Sequence, residues 1–495
     1  MKMLKAQFVI AYDTKNKQHT IYRNGHVVYE DDTIVYVGNS YEGRIDSVED
    51  FGCAIISPGF VDLDPIGDFS HALIQSEMSG QQKMRLNWSY DYFSRRRSEY
   101  MTPEEEAFKS LYAYIQLIKN GITTAMPITS VLYKKAAETY DECVNAVHNS
   151  GRLGLRTYIS PSYVCSKAIY GSDGKISLHS IEPEGEEGLE AALKFCHTYK
   201  DAYNGLIQPC LTPERVEQMT PCLLEKTRKY ADELQCPLRI HGAQSAFEYD
   251  YIGEHYKKTP VEYLEHTGFL GPRALLVHGI WTSGYSQLGS RGNQGNSDLK
   301  ILLKTGTTLI HCPVVQAQAG VALESFGRFK REGISIALAT DTFPADMIQN
   351  IRAGSMLARH VDNDRSENSF AHFFHAATVD AAQAISRPDL GRLCKGAQAD
   401  IIVINLSGFH IGPVDDPLRT MALSCTGRDV THSYIAGRQV MRDRRITAAG
   451  IEDELEVLQE KADHYFNKFR NGYLDRADAH DIVDELFRPS FPFAH

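Results

Sequence analysis

No Cys-x-x-Cys pair occurs in this chain, although ten cysteines are scattered along its 495 residues from Cys53 to Cys425. Such irregular spacing gives no disulfide framework and reads as reduced thiols in a cytoplasm. Basic charge is also in short supply: 52 Lys and Arg against 63 Asp and Glu leave a net charge of −11. The electrostatic footprint of a nucleic-acid or anionic-membrane binder is therefore missing, and a small uncharged or cationic partner fits better. No window approaches the ~18 apolar residues of a membrane span. The apolar part of MKMLKAQFVIAYDTKNK at the N-terminus is too short for a secretory leader, so a soluble protein is expected. Internal repeats, low-complexity tracts and nucleotide-cradling glycine loops are absent as well. What the chain does have is 43% apolar residues, ample for one large domain and a smaller one.

Its two ends are rich in short strands. FVIAY, HTIYRNGHVVYEDDTIVYVG and CAIIS fall within residues 4–57, with Arg23-Asn24-Gly25 as a turn signal. ADIIVINL, DVTHSYIAGRQVM and RDRRI fall within 399–446, with Ala436-Gly437 at a hairpin turn. Between them, strand-like and helix-like segments alternate. The strand candidates are the run from Ile55, then 121–128, 153–160, 204–209, 237–242, 274–279, 307–312 and 334–341. Amphipathic stretches at 103–120, 133–149 and 221–235 are helix candidates. Eight such units predict an α/β chain with a (β/α)₈ barrel over 58–390. The ends, 1–57 and 391–447, would form one small β-sandwich, followed by a helical tail over 448–495.

In such a barrel, chemistry collects at the C-terminal ends of the inner strands. The first strand region, ISPGFVDLDPIGDFSH (56–71), ends in Asp62 and Asp64, which share one face at strand period. The later strands end in His241, His278, His311 and Asp341. One such residue is ordinarily a satisfied structural group, whereas four on successive strands point to a site. Histidine and aspartate are ligand types preferred by a zinc-like cation.

With these residues in view, the chain resembles the amidohydrolase superfamily, in the branch of guanine, cytosine and S-adenosylhomocysteine deaminases and triazine chlorohydrolases. PGFVDLD, GITT, RIHGAQ, LLVHG, IHCPVVQAQAG, ALATD and LGRLCKGAQADIIVIN carry the likeness. The resemblance implies one divalent metal, with zinc the natural choice, held by His241, Asp341 and Asp64. It implies Asp341 as the base that takes a proton from water, with His278 helping to position that water. It implies a small-molecule substrate and a homodimer, with His311 opening the family's His-x-Pro turn as either a structural group or a substrate contact. Gln316, where that turn departs from the family's polar residues, and Trp88, among the aromatics after the first strand, are further substrate-binding candidates. The expected reaction is deamination, or dechlorination, of a small nitrogen heterocycle or amidine.

Two departures stand out. The family closes its first strand with His-x-His, and here the residues are Asp64-Pro65-Ile66. Its deaminases place a glutamate three residues after the fifth-strand histidine as proton donor, and here Gln244 cannot shuttle a proton. His71 is close in sequence but suits an ordinary loop position better than a ligand. The competing reading is a metal-free pseudoenzyme that binds a ligand or partner, or a metal-independent acid-base hydrolase using Asp64 and Asp341. Trp88, Tyr90, Tyr92 and Phe93, close to Arg95, Arg96 and Arg97, offer aromatic faces for a flat ring.

Overall fold

The computed structural model describes residues 1–69, 101–129, 139–170, 175–291, 295–474 and 491. His71, Trp88, the aromatic and arginine cluster at 88–97, the start of the helix expected over 133–149 and the tail at 475–490 lie outside these residues.

The middle of the chain is α/β. Phe60–Asp62, Ile122–Ala125, Arg156–Tyr158 and Ile207–Gln208 form one parallel sheet. Leu238–Gly242, Ala274–His278, Thr308–His311 and Ser335–Leu338 form another. Both faces of these strands are covered. Leu275, Val277, Ile310 and Ala337 pack with Val61 and Leu63 on one side. Leu276, Leu309, Ile336 and Leu338 join residues such as Ile252, Leu302 and Ile348 of the surrounding helices on the other. Double coverage is why ALLVH and SIAL read as unbroken apolar runs rather than alternating ones.

Backbone bonds join segments in or following the edge strands of the two sheets. Arg239 N–H donates to Leu211 O at 2.9 Å and His241 N–H to Glu214 O at 3.1 Å. At the other edge, Asp341 N–H donates to Asp64 O at 2.9 Å. Asp62 accepts from Thr340 N–H at 3.1 Å and from its hydroxyl at 2.7 Å. The strand expected over 204–209 is reduced to Ile207–Gln208, because Tyr203, Asn204 and Gly205 all take left-handed φ of 54–81° and turn the chain instead. An antiparallel pair, Ser166–Tyr170 with Ile176–Ser180, was not foreseen from the sequence.

The two chain ends meet in one nine-stranded sheet. Its junction is the antiparallel pairing of Ala54–Pro58 with Ile401–Asn405, where Ile55 faces Ile404 and Ile56 faces Val403. Ala436 and Gly437, both at positive φ, form the expected turn between Val430–Ile435 and Arg438–Arg442. The turn expected at Arg23-Asn24-Gly25 is absent. Strand Gln18–Glu30 runs straight through it, with Arg23 opposite Phe8 and Gly25 opposite Ala6. Asn24, at φ 51°, takes the left-handed conformation within the strand, whose register continues unbroken on both sides of it. A Cβ on Gly25 would come 2.7 Å from a Val9 methyl, so the strand needs glycine there.

A buried ion pair fastens the end sheet to the parallel strands. Arg156 meets both oxygens of Asp400, Nε at 3.2 Å and Nη2 at 3.0 Å, and Asp400 also accepts from Ala436 N–H at 2.7 Å. The C-terminal helix Leu455–Leu474 lies against helix Pro103–Lys119, with Tyr465 edge-on to Phe108 at 5.2 Å and Lys468 paired with Glu105 at 2.6 Å. Among the described residues no helix is long and apolar enough to cross a membrane. Removing one partner of a buried pair strands the other charge, so Arg156→Ala should lower stability by about 3–5 kcal/mol. Urea unfolding of the variant beside the parent chain measures it, and a change under about 1 kcal/mol would show the pair is not a fastening.

Candidate active site

At the end of the first strand the chain carries a carboxylate with no exposure at all: Asp64 is 0% accessible. Across from it, Leu238–Gly242 presents Arg239 and His241, two residues apart and therefore on the same face. Arg239 Nη1 lies 3.1 Å from Asp64 Oδ1 and also donates to the carbonyls of Leu63 and Met126. His241 Nε2 lies 3.6 Å from Asp64 Oδ2. Burial acts to raise the Asp64 pKa, but His241 and Arg239 together outweigh it and hold the carboxyl below its ordinary range. His241 Nδ1 bonds to the carbonyl of Glu214 at 2.9 Å. A carbonyl only accepts, so the Nδ1 carries the proton and, in the neutral ring, Nε2 faces Asp64 with a lone pair.

A second group forms where the sixth, seventh and eighth parallel strands end. His278 and Asp341 both adopt left-handed φ, 75° and 45°, costly for residues with a Cβ and characteristic of functional strand ends. His278 Nε2 is 3.8 Å from Asp341 Oδ2. Cys312, one residue past the seventh strand, completes a group of three whose donor atoms all lie within 4.8 Å of one another. Burial, and after it the neighbouring Asp64 carboxylate, hold the Asp341 carboxyl well above its usual range. Burial and the charge of His241 push His278 down to about 3. Strand alternation explains why Cys312 rather than His311 joins the group. Cys312 packs on the same side as Ile310, while His311 turns out toward Phe326 and Phe373, with ring centroids at 6.2 and 6.3 Å.

Gln244 is held by Arg215, whose Nη1 donates to its Oε1 at 2.7 Å. The turn bearing it is fixed by Glu248, which accepts from Ala243 N–H at 2.6 Å and Gln244 N–H at 2.8 Å. Burial, then the charge of Glu217, raises Glu248 to about 8. His311 and Gln316 line a small cavity with Pro313, Leu323, Phe326 and Leu357. Asp62, the other carboxylate read on the face of the first strand, is bonded to Thr340, as described above. The structure thus pairs Asp64 with His241 and Asp341 with His278, and sets His311 and Gln316 in the separate cavity. It also brings in Arg239, Cys312, Arg215 and Glu248. Of these, Arg239 could have been read from its two-residue spacing to His241, and Cys312 from its parity with Ile310.

The donors suit a divalent ion. Both oxygens of Asp64 and Nε2 of His278 are buried and accept no hydrogen bond among the described residues. Two ligands about 2.0–2.2 Å from one tetrahedral ion stand about 3.3–3.6 Å apart. The 3.6 Å between His241 and Asp64 meets that spacing, and the 3.8 Å between His278 and Asp341 lies close to it.

Residues 55–440 match the amidohydrolase family, and the chain belongs to it. The 5-methylthioadenosine/S-adenosylhomocysteine deaminase of Thermococcus kodakarensis is 25% identical over 85% of this chain and 93% of its own length. Among solved structures, a zinc-bound adenosine deaminase from Xanthomonas campestris superposes with a TM-score of 0.74 at 17% identity, covering 94% of this chain and 98% of its own. The zinc complex of an atrazine chlorohydrolase from Arthrobacter aurescens gives 0.76 at 18% identity, with 93% and 100% coverage. The family read from the strand-end motifs is the one these comparisons return.

Arg239→Met should cost about 3–5 kcal/mol, because it leaves Asp64 buried without its guanidinium. Coupling the change to Asp64→Leu should recover most of that loss. A double variant no more stable than the single one, in thermal unfolding, would show that the charge of Asp64 is not what Arg239 holds.

Proposed function

We propose that the protein is a hydrolase that deaminates a small nitrogen heterocycle of the adenosine type, in a closed (β/α)₈ barrel whose mouth binds one divalent ion, zinc by preference. The observation that carries this reading is the buried Asp341 carboxyl beside His278, set at strand ends in a chain whose family is established. The names of its relatives point to the substrate class, and exchange of chloride for hydroxyl on a triazine-like ring is the alternative within it. Asp341 belongs to the donor group of His278 and Cys312 at the mouth, beside the separate pair of Asp64 and His241. A divalent ion held there supplies acidification of water, whose pKa falls toward ~7.

The chain's own residues account for the proton traffic. Asp341, buried at the strand end beside His278, takes a proton from the attacking water and returns it to the departing nitrogen. The ring carbon gains oxygen and loses ammonia, and the proton count closes through Asp341. His278, neutral because it is buried, presents an uncharged imidazole to orient that water. Gln244, fixed by Arg215, donates a hydrogen bond to the ring but moves no proton, so one carboxyl does the work that the family divides between two. His311 and Gln316, which line the separate cavity against Phe326, are structural in this reading, and Trp88 remains a candidate for stacking on the ring.

We further take the protein to be a cytoplasmic homodimer without nucleic-acid or membrane partners, in which the two chain ends pack as a sandwich. Ten cysteines without a disulfide and the acidic charge support the compartment and the partners. Light scattering at micromolar concentration should give twice 55.5 kDa, and a mass equal to that value would remove the dimer.

Ammonia release from adenosine, 5′-deoxyadenosine, 5-methylthioadenosine, S-adenosylhomocysteine and guanine, with chloride release from atrazine in parallel, tests the reaction. At least one compound should turn over, and Asp341→Asn should lower kcat by about 10²–10⁴-fold. Binding without turnover of any compound, unaltered in Asp341→Asn, would make the barrel a ligand-binding protein instead.

A further inference from the structure

We infer that the ion is held by His278, Cys312 and Asp341, with the Cys312 thiolate as a ligand, and that Asp64 stands outside its coordination, its charge already taken by Arg239. This deepens the function proposed above and rests on its ion-dependent reading. Three observations lead here. The donor atoms of His278, Cys312 and Asp341 lie within 4.8 Å of one another, and all three side chains are buried. Nε2 of His278 accepts no hydrogen bond among the described residues, although it is only 3% exposed. An imidazole nitrogen left so in a dry site is a ligand in want of a cation.

The third observation is the difference between the two carboxylates. Asp64 has the guanidinium of Arg239 at 3.1 Å, which is itself fixed by two backbone carbonyls. Arg215 and Arg239 act on Asp341 only from beyond ion-pair distance, and among the described residues its ion-pair partner is His278. An ion entering the mouth therefore gains most beside Asp341 and would meet the repulsion of a fixed cation beside Asp64. The strand geometry supplies the rest. Cys312 points inward by its parity with Ile310, while His311 is turned out against Phe326 and Phe373. One histidine nitrogen, one thiolate sulfur and one carboxylate oxygen leave a tetrahedral ion with one open position. On binding, the thiol proton leaves to solvent, so uptake of the ion is accompanied by proton release.

Cobalt(II) titrated into the chelator-treated full-length protein reads the ligand set directly. One equivalent should develop visible d–d bands together with a near-ultraviolet thiolate-to-cobalt charge-transfer band. Cys312→Ser should lose the charge-transfer band, and Asp64→Asn should keep it. If d–d bands arise without charge transfer, or if the charge-transfer band survives Cys312→Ser, the inference is overturned and the ion-dependent hydrolase stands. If cobalt does not bind while ammonia release persists after chelation, both fall. Should Cys312→Ser not fold, X-ray absorption on the zinc-loaded parent protein decides: a sulfur at about 2.3 Å supports thiolate ligation, and a shell of nitrogen and oxygen alone at about 2.0–2.2 Å overturns it.

Discussion

The site depends on how one buried charge is neutralised. Asp64 sits fully buried at the end of the first parallel strand, and an unpaired carboxylate in that position would carry a desolvation cost of several kcal/mol. Arg239 meets it from the fifth strand. The same guanidinium nitrogen donates to the carbonyls of Leu63 and Met126, so the charge and the backbone of the first and second strands are held at one point. In a family that ends its first strand with two neutral imidazoles, this exchange reverses the local electrostatics. A carboxylate compensated by a fixed internal cation replaces a pair of neutral donors.

That substitution shifts attention to the opposite side of the mouth. The sixth and eighth strands end in left-handed residues, His278 and Asp341, whose backbone conformations are unfavourable for side chains with a Cβ. Such strain persists only where the surroundings over-determine it. Here Asp341 N–H is bonded to Asp64 O, and the His278 peptide is followed by Gly279, also at positive φ. The two constraints are thus joined: the strand end that carries Asp64 also fixes the turn that aims Asp341. Behind them, Glu248 holds the turn after His241 and Arg215 holds Gln244, so the fifth-strand end is fixed by hydrogen bonds from two sides.

Much of this was legible in the sequence, for reasons that differ by residue. The inner strands could be read because burial on two faces leaves unbroken apolar runs such as ALLVH. His241, His278 and Asp341 could be read because each is the polar residue that stops such a run. Arg239 was passed over because an arginine within PLRIHG looks like an interruption, and only the partner 175 positions earlier in the chain gives it a role. Cys312 was hidden behind His311, since the eye stops at the imidazole and strand parity favours the next residue. The Arg215, Gln244 and Glu248 contacts join separate loops and leave no periodic trace. At Asn24-Gly25 the local signal was real but ambiguous, because a left-handed Asn before Gly can also sit inside a continuous strand.

The site is defined by whether one ion accompanies each chain and depends on Asp341. Elemental analysis of protein purified without chelator, set against the Asp341→Asn variant purified in the same way, measures both. One equivalent of zinc or another divalent metal per chain in the parent protein, with little or none retained by a folded Asp341→Asn, is the predicted result. A parent protein that carries no metal and turns over its substrate unchanged in the presence of chelator would contradict it.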